Sequence, residues 1–173
     1  MRPEDPRHGT APSLWLLPDE AHRLTPVLKR LALAHGGPPF PPHLTLLGSV
    51  SGAPSTLIAQ TTALANRLSP LVLPTAAISG EDRWFRCLTL QVLPAPMLQT
   101  ARMEAERIFA MPSRPWTPHI SLLYGALSAS QRADAIADLP PLPDRVRLST
   151  LVLVGTIGPA EQWVELARFS LSD

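Results

Sequence analysis

The chain has 173 residues, of which 45% are apolar and 17% are charged. This length can bury a sizeable core, and this composition excludes wholesale disorder. The net charge of +1 gives no long-range field for a long nucleic-acid track. No uncharged apolar run approaches the roughly 20 residues of a membrane span. The single cysteine, Cys87, excludes an internal disulfide and a cysteine metal cage. A globular cytoplasmic protein is expected.

The first elements alternate strand and helix. Residues 1–12 carry charges and prolines but no apolar stretch, which predicts a flexible tail and no secretion signal. The apolar run Ser13–Leu17 predicts a buried strand. Thr25 and Pro26 precede a helical apolar pattern that stops at Gly36, which predicts a helix with its N-cap at Thr25.

The next elements complete a first half of the chain. We predict a strand at His43–Leu47 after a proline-rich loop, and a helix at Pro54–Leu68. Two further strands, Leu71–Ser79 and Trp84–Leu93, flank a turn at Gly80–Arg83, which is typical of a hairpin.

The second half has the same order of elements. Apolar spacing predicts a helix at Pro96–Phe109, followed by a strand at His119–Leu123. Ser128 and Gln131 form a capping-box pattern that opens a helix to about Leu139. Two closing strands are predicted at Val146–Ile157 and Gln162–Leu171.

The two halves are related by a repeat of 76 residues, the separation of His43 and His119. The segment Pro42–Gly48, PHLTLLG, matches Pro118–Gly125, PHISLLYG, with one insertion. We therefore predict an α+β fold with two pseudo-symmetric lobes, residues 25–93 and 96–171, within one domain over residues 13–173. Each lobe would be an antiparallel sheet flanked by helices, with a cleft between the lobes.

The repeated motif places chemistry on one face of each strand. Because side chains alternate along a strand, His43 and Thr45 share one face, as do His119 and Ser121. One neutral imidazole can take a proton from a nucleophile while the other, protonated, gives one to the leaving oxygen. The two hydroxyls would donate hydrogen bonds to phosphate oxygens. Two imidazoles and two hydroxyls therefore indicate phosphodiester chemistry without a metal or cofactor.

Other readings of these residues fit less well. A zinc site lacks a third protein ligand, and no H-E-x-x-H, G-x-S-x-G or phosphate-loop motif occurs. We expect Cys87 to be a buried, inert thiol. The remaining polar and aromatic candidates are assigned to the surface or to packing: His8, His22, His35, Arg83, Arg86, Arg114, Trp116 and Trp163.

The motifs resemble those of the 2H phosphoesterase superfamily, and within it the cyclic phosphodiesterases. Four stretches carry the likeness: Ser13–Pro18, Pro42–Thr45, Trp84–Leu88 and Pro118–Gly125. The resemblance implies hydrolysis of ADP-ribose 1″,2″-cyclic phosphate or nucleoside 2′,3′-cyclic phosphates by a monomer that binds a small nucleotide and no membrane.

The same resemblance assigns roles to residues. His43 and His119 would be the acid/base pair, and Thr45 and Ser121 the phosphate ligands. Further residues would line the site: Tyr124 near the phosphate, Trp15 as a stacking partner or wall, and Phe85 as a second wall for which Trp84 competes.

Two alternatives stay open at this point. One is processing of RNA 2′,3′-cyclic ends or 2′–5′ ligation, although that branch usually carries an arginine where this chain has Leu122, Leu123 and Tyr124. The other is a nucleotide-binding module without turnover.

Overall fold

The computed structural model describes residues 5–172. In chain order the elements are β1 (Gly9–Thr10), β2 (Ser13–Pro18), α1 (Ala21–His35), β3 (Leu44–Leu47), α2 (Pro54–Ala65), β4 (Leu71–Ser79), β5 (Leu88–Val92), α3 (Pro96–Ile108), β6 (His119–Leu123), α4 (Ala129–Ala137), β7 (Arg145–Gly155), β8 (Ile157–Gly158) and β9 (Val164–Ser170). Short 3₁₀ turns at Trp84–Arg86 and Ala160–Gln162 precede β5 and β9.

A large antiparallel sheet dominates the described chain. Its seven strands follow the order β2-β3-β6-β5-β4-β7-β9, and a further pairing of β2 with β7 closes six of them into a ring. Every pairing within the sheet is antiparallel. The predicted α+β class with antiparallel strands and flanking helices is confirmed.

The 76-residue repeat extends to the secondary structure. The first half runs α1-β3-α2-β4-turn-β5 and the second runs α3-β6-α4-β7-turn-β9, each element beginning 74 to 76 residues after its counterpart. The capping box at Ser128 and Gln131 is present at the start of α4, as the sequence predicts.

Each histidine strand lies near strands of the other half of the repeat. β3 lies beside β2, which pairs with β7, whereas β6 lies beside β5, which pairs with β4. One strand, β2 or β5, therefore separates each histidine strand from the long strand of the other half, β7 or β4. This arrangement follows from the direct pairing of β3 with β6 at the centre of the sheet.

The last strand begins at Val164 rather than Gln162, and α2 ends at Ala65 rather than Leu68. The two largest boundary errors lie at the starts of β5 and α1. The predicted strand Trp84–Leu93 begins only at Leu88, because residues 84–86 form a 3₁₀ turn. The Trp84 carbonyl accepts a hydrogen bond from the Gly125 amide instead of joining a hairpin. Helix α1 begins at Ala21 rather than after Thr25, because the Arg23 and Leu24 amides bond to the Glu20 carbonyl.

The N-terminal segment is more ordered than predicted from Asp5 onward; residues 1–4 of the predicted flexible tail lie outside the described residues. Gly9 pairs with Gly158 and Thr10 with Ile157. Gly9 lies so close to the Thr156 carbonyl that a side chain there would clash. The segment is therefore attached to the rest of the fold by backbone pairing.

Truncation of Leu44 tests the description of the core beneath the central strand pair. Its side chain is fully buried, so we expect Leu44→Ala to lower the free energy of unfolding by about 2–5 kcal/mol, as cavity formation does in cores. Urea denaturation measures this loss. The matched control is Leu33→Ala, since Leu33 is 88% exposed and its truncation should stay within about 0.5 kcal/mol of wild type. Equal losses in both variants would contradict this description of the core.

Candidate active site

The two histidine motifs meet across one strand pair. Leu44 of β3 pairs with Ile120 of β6 in antiparallel register. That register places His43 across from Ser121 and Thr45 across from His119, and paired residues of neighbouring strands share a face. The side chains of Leu44 and Ile120 are fully buried on the opposite face.

These side chains border one cleft of about 370 Å³. All seven residues that the sequence singles out lie along it: Trp15, His43, Thr45, Phe85, His119, Ser121 and Tyr124. The structure therefore brings the predicted set together, although the two motifs lie one full repeat of 76 residues apart in the chain.

Backbone carbonyls fix both imidazoles in the same tautomer. The Nδ1 atom of His43 lies 2.7 Å from the Pro41 carbonyl, and that of His119 lies 2.8 Å from the Thr117 carbonyl. Because a carbonyl oxygen only accepts, the proton of each neutral ring is assigned to Nδ1. Each Nε2 then carries a lone pair that can accept a proton.

His43 is enclosed by aromatic rings. The Trp15 ring stacks on its imidazole with centroids 3.6 Å apart and planes 10° apart, and the ring of Phe40 meets it edge-on at 6.1 Å. Only 4% of His43 is exposed. Burial lowers the pKa of His43 to about 4, with a smaller contribution from nearby His119. The ring is therefore neutral at pH 7.

His119 occupies the more open side of the cleft. It is partly exposed, and burial again lowers its pKa. The positive charge of Arg86 lowers the pKa further, whereas Glu81 opposes it. The two equivalent rings consequently sit in different environments, with His43 the more completely desolvated.

Tyr124 links the two motifs. Its hydroxyl lies 3.4 Å from Nε2 of His43, and its ring stacks on Phe40 at 3.7 Å. Burial raises the pKa of the Tyr124 phenol, and a hydrogen bond with Ser121 only partly offsets this. The phenol stays protonated and can donate a hydrogen bond into the cleft.

The Ser121 hydroxyl is attached to the turn before β5. Its Oγ donates to the Phe85 carbonyl at 3.0 Å, and Thr89 lies beside Ser121 on β5. This bond ties the second motif to residues 84–86 and aligns Phe85 with the cleft. Of the two candidate residues for that wall, Phe85 borders this cleft and Trp84 does not.

Several cleft residues escape the sequence analysis. Trp163, assigned there to packing, lines the cleft and meets Trp15 at 5.8 Å and Phe85 at 5.7 Å between ring centroids. Trp116 and Arg86 also line the cleft.

The N-terminal segment supplies another part of the wall. His8, Gly9 and Thr10 all border the cleft, although the sequence analysis places His8 in a loose tail. A two-residue strand such as β1 has no periodic pattern, so nothing in the sequence marks it.

The two sides of the cleft differ in polarity. On the His43 side, Trp15 lies beside Thr45 and Val152 in the sheet. On the His119 side, Gln91 lies beside His119, and its amide donates to the Ser79 hydroxyl at 2.7 Å. One half of the sheet face is therefore aromatic and apolar, and the other is polar.

Two further features bear on the class of protein. Within residues 5–172, no group of three His, Cys, Asp or Glu residues is arranged to hold a metal ion. Among the helices of that same range, none has the length and apolar character that a bilayer crossing needs. Cys87 is fully buried, as predicted, and burial raises its pKa.

The buried His43 makes stability depend on pH. Its pKa is about 4 in the folded protein and near 6.5 when unfolded, so between these values the unfolded chain binds the extra proton. The free energy of unfolding should fall as the pH drops from about 6.5 to 4, by about 3 kcal/mol from this group. In His43→Phe, which keeps a ring against Trp15, urea denaturation should show a smaller loss over that range. An identical pH dependence in both proteins would contradict the assignment.

Comparison with known proteins supports the predicted resemblance. No family model matches the chain. The chain is 25% identical to an Arabidopsis thaliana cyclic phosphodiesterase over 126 residues, which are 71% of this chain and 70% of that protein.

Solved structures share the fold. Escherichia coli LigT with bound 3′-AMP matches with a TM-score of 0.61 and 18% identity, covering 96% of this chain and all of that one. The same protein with NADP⁺ gives 0.56 and 18%, covering 96% and 99%. A Thermus thermophilus protein gives 0.58 and 18%, covering 94% and 98%. The chain thus resembles a cyclic phosphodiesterase in sequence and shares the fold of LigT, which agrees with the predicted likeness to 2H phosphoesterases.

Proposed function

We propose that the chain is a hydrolase that opens small cyclic phosphodiesters to phosphomonoesters without a metal ion. The substrates would be ADP-ribose 1″,2″-cyclic phosphate or nucleoside 2′,3′-cyclic phosphates. The observation that carries the proposal is the pair of imidazoles in one cleft, each with Nδ1 held by a backbone carbonyl. A binding module without turnover has no need of two rings held in this way.

We assign the roles of the two rings on the basis of their different burial. His43, the more buried ring, stays neutral and serves as the general base that takes a proton from water. The water oxygen bonds to phosphorus as the bond from phosphorus to one ring oxygen breaks. His119, on the open side of the cleft, serves as the general acid that donates a proton to the leaving oxygen.

Hydrogen-bond donors around the cleft would hold the phosphate. The hydroxyls of Thr45, Ser121 and Tyr124 all border the cleft, and each can donate to a non-bridging oxygen on which charge builds up. Ser121 would release the Phe85 carbonyl to do so.

A neighbouring cavity suits the nucleoside portion. This cavity of about 420 Å³ shares Trp15 and Trp163 with the cleft. Most of its lining is apolar, and the charged residues Glu161, Glu165 and Arg168 also border it. Aromatic and aliphatic walls of this kind favour a planar base. The LigT complexes with 3′-AMP and NADP⁺ support a nucleotide as the ligand class.

Removal of either imidazole tests the proposal. We expect His43→Ala and His119→Ala each to lower kcat for a 2′,3′-cyclic nucleotide by about 10²–10⁴-fold, the usual loss of a general acid or base. Phosphorus NMR measures turnover and identifies the product. His22→Ala, on the exposed face of α1, is the matched control and should match wild type. Wild-type turnover should also persist in a chelator. Near-normal turnover by the double histidine variant would refute the mechanism.

The pH profile tests the assignment of base and acid. The base must be neutral and the acid protonated, and the pKa values of both rings are lowered from 6.5. We therefore expect kcat/KM to be highest between about pH 4 and pH 6.5, rather than near neutrality. Circular dichroism at each pH controls for unfolding. A maximum above pH 7.5 would show that the rings do not have these environments during the reaction.

A further inference from the structure

Arg86 is the one formally cationic residue, besides the histidines, among the described residues that line the cleft. The other lining residues are uncharged, and no described carboxylate borders the cleft. A guanidinium in a cleft without carboxylates attracts anions, and its fork geometry suits phosphate oxygens.

The segment that carries Arg86 is fixed to the second motif. The Ser121 hydroxyl bonds to the carbonyl of the preceding residue, Phe85, and the Gly125 amide bonds to that of Trp84. These bonds attach the 3₁₀ turn of residues 84–86 to the strand that presents His119 and to the residues that follow it. Arg86 is therefore positioned by the same strand that presents one of the proposed acid/base groups.

The side chain of Arg86 retains unused hydrogen-bonding capacity. One terminal nitrogen forms an ion pair with Glu81 at 2.8 Å. Its Nε atom is buried and makes no hydrogen bond to any described residue. A buried donor without an acceptor is costly, so the protein leaves the hydrogen-bonding capacity of this guanidinium partly unused. The side chain is 24% exposed, so a ligand in the cleft can reach it.

We propose that Arg86 is the anion-binding residue of the cleft and contacts the phosphate beside His119 and Ser121. The proposal rests on the proposed function only in taking the ligand to be a phosphate. It adds a charged contact to the four motif residues and explains how a chain of net charge +1 would concentrate an anionic substrate at one point.

Arg83 provides a matched control. It also approaches Glu81, at 3.6 Å, but its side chain is 73% exposed and it does not border the cleft. Arg83→Gln and Arg86→Gln remove the same charge from the same short segment. They differ in whether that charge faces the cleft.

Binding of inorganic phosphate, followed by phosphorus NMR titration, tests the proposal without requiring turnover. We expect Arg86→Gln to weaken binding by about 10- to 100-fold, the usual loss of a charge-assisted contact. Arg86→Lys, which keeps the charge, should weaken it less. Arg83→Gln should bind within about twofold of wild type. Equal affinity in Arg83→Gln and Arg86→Gln would overturn the proposal.

A structural role for Arg86 is distinguished by Glu81→Gln. If Arg86 acted only by anchoring Glu81, this variant would lose phosphate affinity as Arg86→Gln does, and that result would also overturn the proposal. We expect it to bind phosphate at least as well as wild type, because a competing carboxylate is removed. If the protein binds phosphate through Arg86 but shows no hydrolytic activity, the proposed function is refuted and this inference stands. Hydrolysis with phosphate binding indifferent to Arg86 would refute this inference alone.

Discussion

The antiparallel pairing of Leu44 with Ile120 is the constraint on which the site depends. It joins the two halves of the repeat at equivalent positions, so each histidine faces the hydroxyl residue of the other motif. The leucine and isoleucine side chains point into the core and are fully buried, which sets the opposite face toward the cleft. A shift of either strand by one residue in this register would turn the histidine and the hydroxyl side chain of that strand into the core. The register that buries Leu44 and Ile120 in the core is therefore the same register that places the polar side chains at the cleft.

Burial and backbone hydrogen bonds then define the chemistry of the two rings. Carbonyls two residues before each histidine fix the tautomer, and the proline-containing approach to each strand fixes where those carbonyls lie. Aromatic neighbours desolvate His43 and lower its pKa to about 4. His119 has an open side and a cation nearby. A symmetric backbone therefore carries two unlike imidazoles, which is what a reaction with one base and one acid requires.

The asymmetry continues outward from the motifs. Strand β2 has no counterpart in the repeat, and it places Trp15 against His43. On the other side, Thr89 and Gln91 form a polar row with Ser79, and Arg86 supplies a positive charge. In the proposed reaction, the apolar side would hold the nucleobase and the polar, cationic side the phosphate. The strands that flank the central pair carry different residues in the two halves, and this difference makes the two sides of the site unlike.

Local patterns in the chain were sufficient to predict much of this protein. Proline before each motif, period-two alternation and the capping box at Ser128 predicted the strands, the helices, the repeat and the faces of His43, Thr45, His119 and Ser121. Those signals depend on neighbours in the chain. They misplaced the start of α1, where the first helical amides bond to the Glu20 carbonyl, and the turn at Trp84–Arg86, where the Trp84 carbonyl accepts from the distant Gly125 amide. The three-dimensional fold alone established that β3 pairs with β6, that residues 9–10 attach to β8, and that Trp163 and Arg86 face the cleft. These features follow from contacts between residues far apart in the chain, and such contacts leave no period in the sequence.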